Sequence, residues 1–426
     1  MQEKILHYIW SAQFCSTKYP LYTTKGKALA VIKPGVPTQH GGPDFHSAHI
    51  RIENIDFYGS IEIHTESAAW YKHGHNDNSA YQNIILHVVW KTNQVAKLEQ
   101  QAIELIPTLE LSSFIDQNLI TYYQRLMSHQ SPILCRAHLS RFYKKWEKTV
   151  HFYAKSRLQR KASIIIQTWK DNNEDSNSTA YQLLSQNFGF KANSSSLLAL
   201  SKQIPIQAIH ANHKNLSVIE ALLLGQAGFV SKEVNSTNKY KQQLSNIYQK
   251  LSKKYKLKVP MKYDTWNFCQ LRPANFPTIR IAQLATILSL YPDIFHFLIN
   301  LNLQDMYQKL AIHQSPYWQS HYLFGKESPI PVAGLGKKSI CNIVINTVVP
   351  LLVAYGALRH DFFYLNKAIQ ILHSLPAEDN AVTRKWKKEG INLKSAFESQ
   401  GAIELFQQLC ASKKCAYCPI GKAIIE

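Results

Sequence analysis

The sequence predicts an α+β chain, with a small α/β sheet domain over residues 1–95 and a large, mostly α-helical domain over 96–426. Three observations carry that prediction. Short runs that alternate every second residue, rich in β-branched and aromatic side chains, continue as far as Trp90. Beyond Thr92 the apolar residues recur at three- and four-residue spacing instead. Charge changes with the texture. Residues 1–91 hold 8 Lys and Arg against 7 Asp and Glu, leaving 40 of the chain's 48 basic and 21 of its 28 acidic side chains to the remainder.

Taken in order, residues 3–14 read as a helix on which Leu6, Trp10 and Phe14 share a face, with Glu3 on that same face. Residues 23–27 form a hairpin tip before a strand at 28–32. Gly41-Gly42-Pro43 then signals a turn that delivers Asp44 to the next strand. Strict alternation puts Asp44, His46, Ala48, Ile50 and Ile52 on one face of that strand. In the strand at 57–64, Ser60, Glu62 and His64 share one face and Ile61 and Ile63 the other. Residues 65–72 are a short helix or loop, and 81–90 a buried strand in which His87 reads as a core histidine.

Helices follow at 111–127, 138–161, 179–188, 194–203, 217–227, 239–254, 277–290, 293–301, 340–355, 362–372, 382–389 and 393–409. Ser217 and Glu220 fit a capping box, and Asn275 with Pro277 fits a helix entry. Breaks are expected at 231–238 and 316–332.

Composition narrows the function classes. No run of 18 uninterrupted apolar residues occurs, so no membrane span is expected. An acid at Glu3 and no apolar run before a small-residue cleavage site argue against a signal peptide and for a cytoplasmic protein. A net charge of +20, concentrated after residue 91, points to a polyanionic partner, most simply nucleic acid. The plain alternative is a solvated Lys-rich surface.

Seven of the 18 histidines fall between His40 and His87, among Asp44, Glu62, Glu66 and Asp77. A divalent ion that activates water needs hard oxygen ligands close together and a polarising group beside them. Asp44 beside Glu62-x-His64 can supply these, with Mg²⁺ or Mn²⁺ as the expected ion. His73-x-His75 with Asp77 has ligand-like spacing of its own and, with His64, can form a separate His-rich zinc or iron site. The bland readings are a satisfied strand Glu–His pair and a loop with exposed histidines.

At the other end, Cys410-x4-Cys415-x2-Cys418 has the spacing of zinc or iron–sulfur ligation and needs a fourth ligand. Cys341 is the nearest upstream cysteine, with Cys269 and Cys135 as alternatives, and free thiols are the plain reading. On the helix at 138–161, Arg141, Lys144, Lys145 and Lys148 form a basic stripe able to track phosphates, or a solvated face. Arg280 lies near a helix start suited to an anion. Gly334–Ser339 resembles a P-loop only superficially, because Pro331 stands where its first glycine belongs.

The order of a helix carrying Glu3, then Pro43-Asp44, then Glu62-x-His64 resembles the PD-(D/E)XK nuclease superfamily. That resemblance implies Asp44 and Glu62 as metal ligands, Glu3 as a supporting acid, and His64 in place of the family lysine. Over nearly its full length the chain also resembles an uncharacterised bacterial family through Gly41–Phe45, Glu62–His64, His73–His75, His87–Val89, Asn275–Pro277, Asn346–Pro350 and the terminal cysteines. That family brings no activity with it. Three functions follow as expectations: a metal-dependent nuclease-like protein, a His-rich metalloenzyme acting on a small molecule, or an inactive nucleic-acid-binding scaffold.

Overall fold

A computed structural model describes residues 3–11, 20–38, 41–75, 78–93, 106–115, 120–121, 131–230 and 238–425. Its chain divides into two units, Met1–Thr149 with Leu405–Glu426, and Val150–Glu404.

The first unit is built on helix α1 (Glu3–Ser11) and strands β1 (Leu21–Tyr22), β2 (Ala28–Lys33), β3 (Val36–Pro37), β4 (Phe45–Ile52), β5 (Ile55–Glu66), β6 (Ile84–Lys91) and β7 (Thr108–Glu110). They form one sheet in the order β1-β2-β4-β5-β6-β7, with β3 paired to β4. Neighbours are antiparallel as far as β5, whereas β5–β6 and β6–β7 are parallel. A parallel neighbour needs a crossover. Between β5 and β6 that crossover contains the short helix α2 (Ala69–Lys72) and the loop after it.

The apolar side of the sheet packs on α1. Ile5, Leu6, Ile9 and Trp10 bury against Phe45, Ile50, Ile61, Ile63, Leu86 and Val88. Two expectations change here. The sheet continues past residue 95, because Thr108–Glu110 adds a parallel strand to β6. Strict alternation along β4 also fails. A bulge between Phe45 and Ala48, with Ser47 at φ +56°, shifts the register, so Phe45, Ala48, Ile50 and Ile52 are buried and His46 is exposed. The helix expected at 111–127 lies mostly outside the described residues.

The second unit is helical. Its periodic segments form close to where their patterns put them: Ser176–Phe188, Ser194–Gln203, Leu216–Gln226, Lys239–Lys254 and Pro277–Leu290. The longest helix, α3 (Tyr143–Asp171), carries the chain from the first unit into the second. Ser217 and Glu220 do not make a capping box. Asn215 stands at the N-cap position without a side-chain bond to the helix, Ser217 Oγ donates to Asn215, and the fully buried Glu220 carboxylate accepts from Tyr240 Oη. Lys337–Arg359 is a continuous stretch of 23 residues, apolar enough by length and composition to cross a membrane, and 78% of its most apolar window is buried within the protein.

Candidate metal centre

β5 is buried on both faces where it matters. Ile61 and Ile63 point into the core under α1, while Glu62 (5% exposed) and His64 (1%) point to the opposite side. Burying a carboxyl and an imidazole on adjacent same-face positions is unfavourable unless each is paired. The partners converge from four segments.

Gly41 and Gly42 take the turn at φ +33° and +100°, conformations that favour glycine, and deliver Asp44 to the start of β4. The Asp44 backbone N–H donates to Glu62 Oε2 at 3.1 Å, and Asp44 Oδ2 accepts from the Ile63 N–H at 2.9 Å. The two carboxylates are thereby locked beside each other by the backbone of the neighbouring strand.

The crossover loop brings the imidazoles. Trp70 on α2 is 2% exposed and lies over His75 and His87 at 5.3 and 5.2 Å between ring centroids. Gly74, at φ +67°, turns the chain so that His73 and His75 both approach His64. Tyr81 stacks on His75 at 4.0 Å. His75 Nε2 lies 3.2 Å from Glu62 Oε1 and 3.3 Å from His64 Nε2, which is itself 3.6 Å from Glu62 Oε1. Donor atoms of His64, His73 and His75 all fall within 4.8 Å of one another, a spacing that suits a shared ion.

Two residues that the sequence reading left aside complete the arrangement. His87, read as a core histidine, is 1% exposed and its Nε2 lies 2.9 Å from His64 Nδ1. With His64 Nδ1–H donating to His87, the Nε2 lone pair of His64 faces Glu62 and His75. His7 on α1 places Nε2 3.3 Å from Asp44 Oδ2. Its i+4 spacing from Glu3 was the available signal. Glu3 itself is exposed, and its charge adds a minor upward push to Glu62. Asp77 and His40 lie outside the described residues.

The electrostatics define what the cluster lacks. Burial, followed by the nearby Asp44 charge, pushes the Glu62 carboxyl up to about 8. Burial and the neighbouring imidazoles push His64 down to about 3 and His87 down to about 4, and His75 shifts the same way. Neutral imidazoles, and a carboxyl whose ionisation is opposed, are groups that a bound cation would hold in their ligating forms. Three imidazoles and one carboxylate suit a borderline ion such as Mn²⁺, Fe²⁺ or Zn²⁺ better than Mg²⁺, which takes oxygen ligands.

The cysteine candidates fall in both units. Cys341 lies in the second unit with its sulfur 3.2 Å from the Tyr307 hydroxyl. The Cys410 thiol is raised by burial and then by the thiols of Cys135, Cys418 and Cys415, all in the first unit. Burial likewise pushes Cys415 up to about 12. Cys418 accepts from the backbone N–H groups of Gly421 and Ile420. Of the three upstream candidates, Cys135 is the one whose thiol acts on Cys410. The sulfurs are less tightly drawn together than the imidazoles, the group whose donors converge within 4.8 Å among the described residues. Arg141, Lys144, Lys145 and Lys148 are all exposed, so the basic stripe is free to meet solvent or a polyanion.

Fold and site together define an α+β protein with a carboxylate–imidazole centre on a mixed sheet. The chain belongs to the family described as "Protein of unknown function (DUF2851)", whose model matches residues 3–381. No curated protein and no solved structure matches it.

Proposed function

We propose that the first unit is a metal-dependent phosphodiester hydrolase of the nuclease type, acting on nucleic acid held by the basic surface. The observation that carries this reading is the hydrogen-bonded pairing of Asp44 and Glu62 across β4 and β5, beside three clustered imidazoles. An antiparallel β2-β4-β5 meander followed by a parallel β6 is the order that the PD-(D/E)XK resemblance implies, with Asp44 at the head of the second meander strand and Glu62 on the third.

Glu62, His64, His73 and His75 would hold the ion, and when bound it would supply a Lewis acid and a water of lowered pKa. Asp44 orients Glu62 and presents a second carboxylate to the same space. His87 fixes the tautomer of His64. Trp70 and Tyr81 exclude water from one side, while the exposed His73 leaves the other side open to substrate.

The crowding of imidazoles also supports the second reading, a His-rich metalloenzyme on a small substrate, and the same assay separates them. Purified protein loaded with Mn²⁺, Zn²⁺ or Mg²⁺ is tested on single- and double-stranded DNA and RNA and on a small phosphodiester. Cleavage of nucleic acid that falls to the metal-free level in Glu62→Ala is the expected result. Equal activity in both proteins removes the catalytic assignment, and turnover of the small ester alone favours the second reading.

For the terminal cysteines we propose a structural Zn²⁺ or iron–sulfur site made by Cys135, Cys410, Cys415 and Cys418. Metal analysis of anaerobically purified protein should find metal that is lost in both Cys135→Ser and Cys415→Ser and retained in Cys341→Ser.

A further inference from the structure

Two sequence features 59 residues apart, Arg280 near a helix start and the P-loop-like run ending in Ser339, meet at one cavity in the second unit. Its volume is about 700 Å³, large enough for a nucleotide-sized molecule. Arg280, Lys191 and Lys338 line it, with Asn275, Ser339 and Phe190, and no Asp or Glu is among its lining residues.

Arg280 is the unusual member. Only 6% of it is exposed, yet all its hydrogen bonds go to neutral groups. Nη1 donates to Gln283 Oε1 at 2.8 Å, and Nη2 donates to Asn275 Oδ1 and, at 3.4 Å, to Ser339 Oγ. Its Nε is buried without a partner, and the guanidinium lies 4.4 Å from the centroid of the Phe190 ring. A buried guanidinium is normally matched by a carboxylate or phosphate, because its charge is expensive to remove from water. Glu404 in the same unit shows the usual solution, with Arg157 and Arg160 both bound to it. Burial pushes Arg280 down only to about 10, so it remains charged at neutral pH.

The run at Lys338 and Ser339 adds positive potential to the same cavity. Gly336 precedes the helical stretch Lys337–Arg359 and gives it no side-chain cap, so the first-turn amides next to Lys338 and Ser339 lack that partner. Gly334–Ser339 lacks the first glycine of a P-loop, and in the fold it lines this cavity through Lys338 and Ser339.

We propose that this cavity is a binding site for a phosphomonoester, with the phosphate dianion seated between Arg280, Lys338 and Ser339 and the rest of the ligand filling the space toward Lys191 and Phe190. It is separate from the carboxylate–imidazole centre and does not rest on the hydrolase reading. The phosphomonoester has two sources, a free phosphorylated metabolite or the 5′-phosphate end of a nucleic acid.

The test is calorimetric titration of the full chain with inorganic phosphate, a nucleoside 5′-monophosphate, the parent nucleoside, and an octanucleotide with and without a 5′-phosphate. Phosphate and the monophosphate should bind and the nucleoside should not. A 5′-phosphorylated octanucleotide that binds more tightly than the monophosphate identifies a chain end as the source, and the reverse order identifies a free metabolite. Arg280→Met should abolish binding. Because that residue is buried, the exposed Lys338→Glu serves as the second variant and should weaken binding at least about tenfold with unchanged thermal unfolding. Absence of binding by all phosphorylated probes, or unchanged affinity in Lys338→Glu, overturns the proposal.

Discussion

The carboxylate–imidazole centre of the first unit and the arginine cavity of the second are electrical opposites. In the first, a buried carboxyl rises to about 8 because burial and Asp44 both oppose its charge. In the second, a buried guanidinium drops to about 10 with only neutral hydrogen-bond partners. Each is an ionisable group that the chain has taken out of water without an opposite charge beside it, and each sign matches the partner proposed for it, a cation at Glu62 and an anion at Arg280. Glu404 supplies the control. It is 1% exposed, and two arginines of its own unit neutralise it. Buried charge by itself therefore does not mark a site in this chain, and Glu220, buried against the Tyr240 hydroxyl, shows that a lone buried acid can also be purely structural.

The largest effect expected from this contrast is on stability. Removing the balanced acid with Glu404→Ala leaves Arg157 and Lys161 facing each other without it and should cost about 3 kcal/mol in chemical denaturation, at the lower end for a buried pair because Arg160 is about half exposed. A loss no greater than that of an exposed control would mean that Glu404 is not what holds those cations.

Next comes the support of the metal centre. His87→Ala keeps every proposed ligand but frees the tautomer of His64, so Mn²⁺ or Zn²⁺ affinity should fall roughly 10–100-fold, or about 1.4–2.7 kcal/mol. Unchanged affinity would return His87 to a packing role.

The third effect is a pH slope. Lys161 donates to Asn346 Oδ1 at 2.8 Å and Gln400 Oε1 at 3.1 Å, and burial, then Arg157, pushes its ammonium down to about 7. Its native value lies below the unfolded one near 10.5, so the unfolded chain binds more protons between these limits. Unfolding free energy should therefore rise with pH from about 7 to 10.5, and Lys161→Met should flatten that rise. A flat wild-type curve would show that the amine is solvated.

How much of this was legible in the sequence depended on range. Gly41–Asp44 and Glu62-x-His64 were readable because a turn and a two-residue period are local. The β4 face was misassigned at His46, since a bulge at Ser47 changes parity without any local signal stronger than its neighbours. His7 and His87 were passed over for opposite reasons. One sits on a helix read for its apolar stripe, and the other hides in an apolar strand. That Cys135 acts on the Cys410 thiol could not be read from spacing, because nearness along the chain is a poor guide to nearness in space.

The sequence by itself determined the α+β order, the helical periods of the second unit, and the residue types of both ends of the chemistry. Those follow from local backbone preference and from the spacing of apolar side chains. Tertiary structure alone decided which histidines surround Glu62, that the Cys135 thiol acts on Cys410, and that Arg280 shares a cavity with Ser339. Burial and charge balance are properties of residues brought together from distant segments, and a buried charge without its counter-charge exists only once the chain has folded around it.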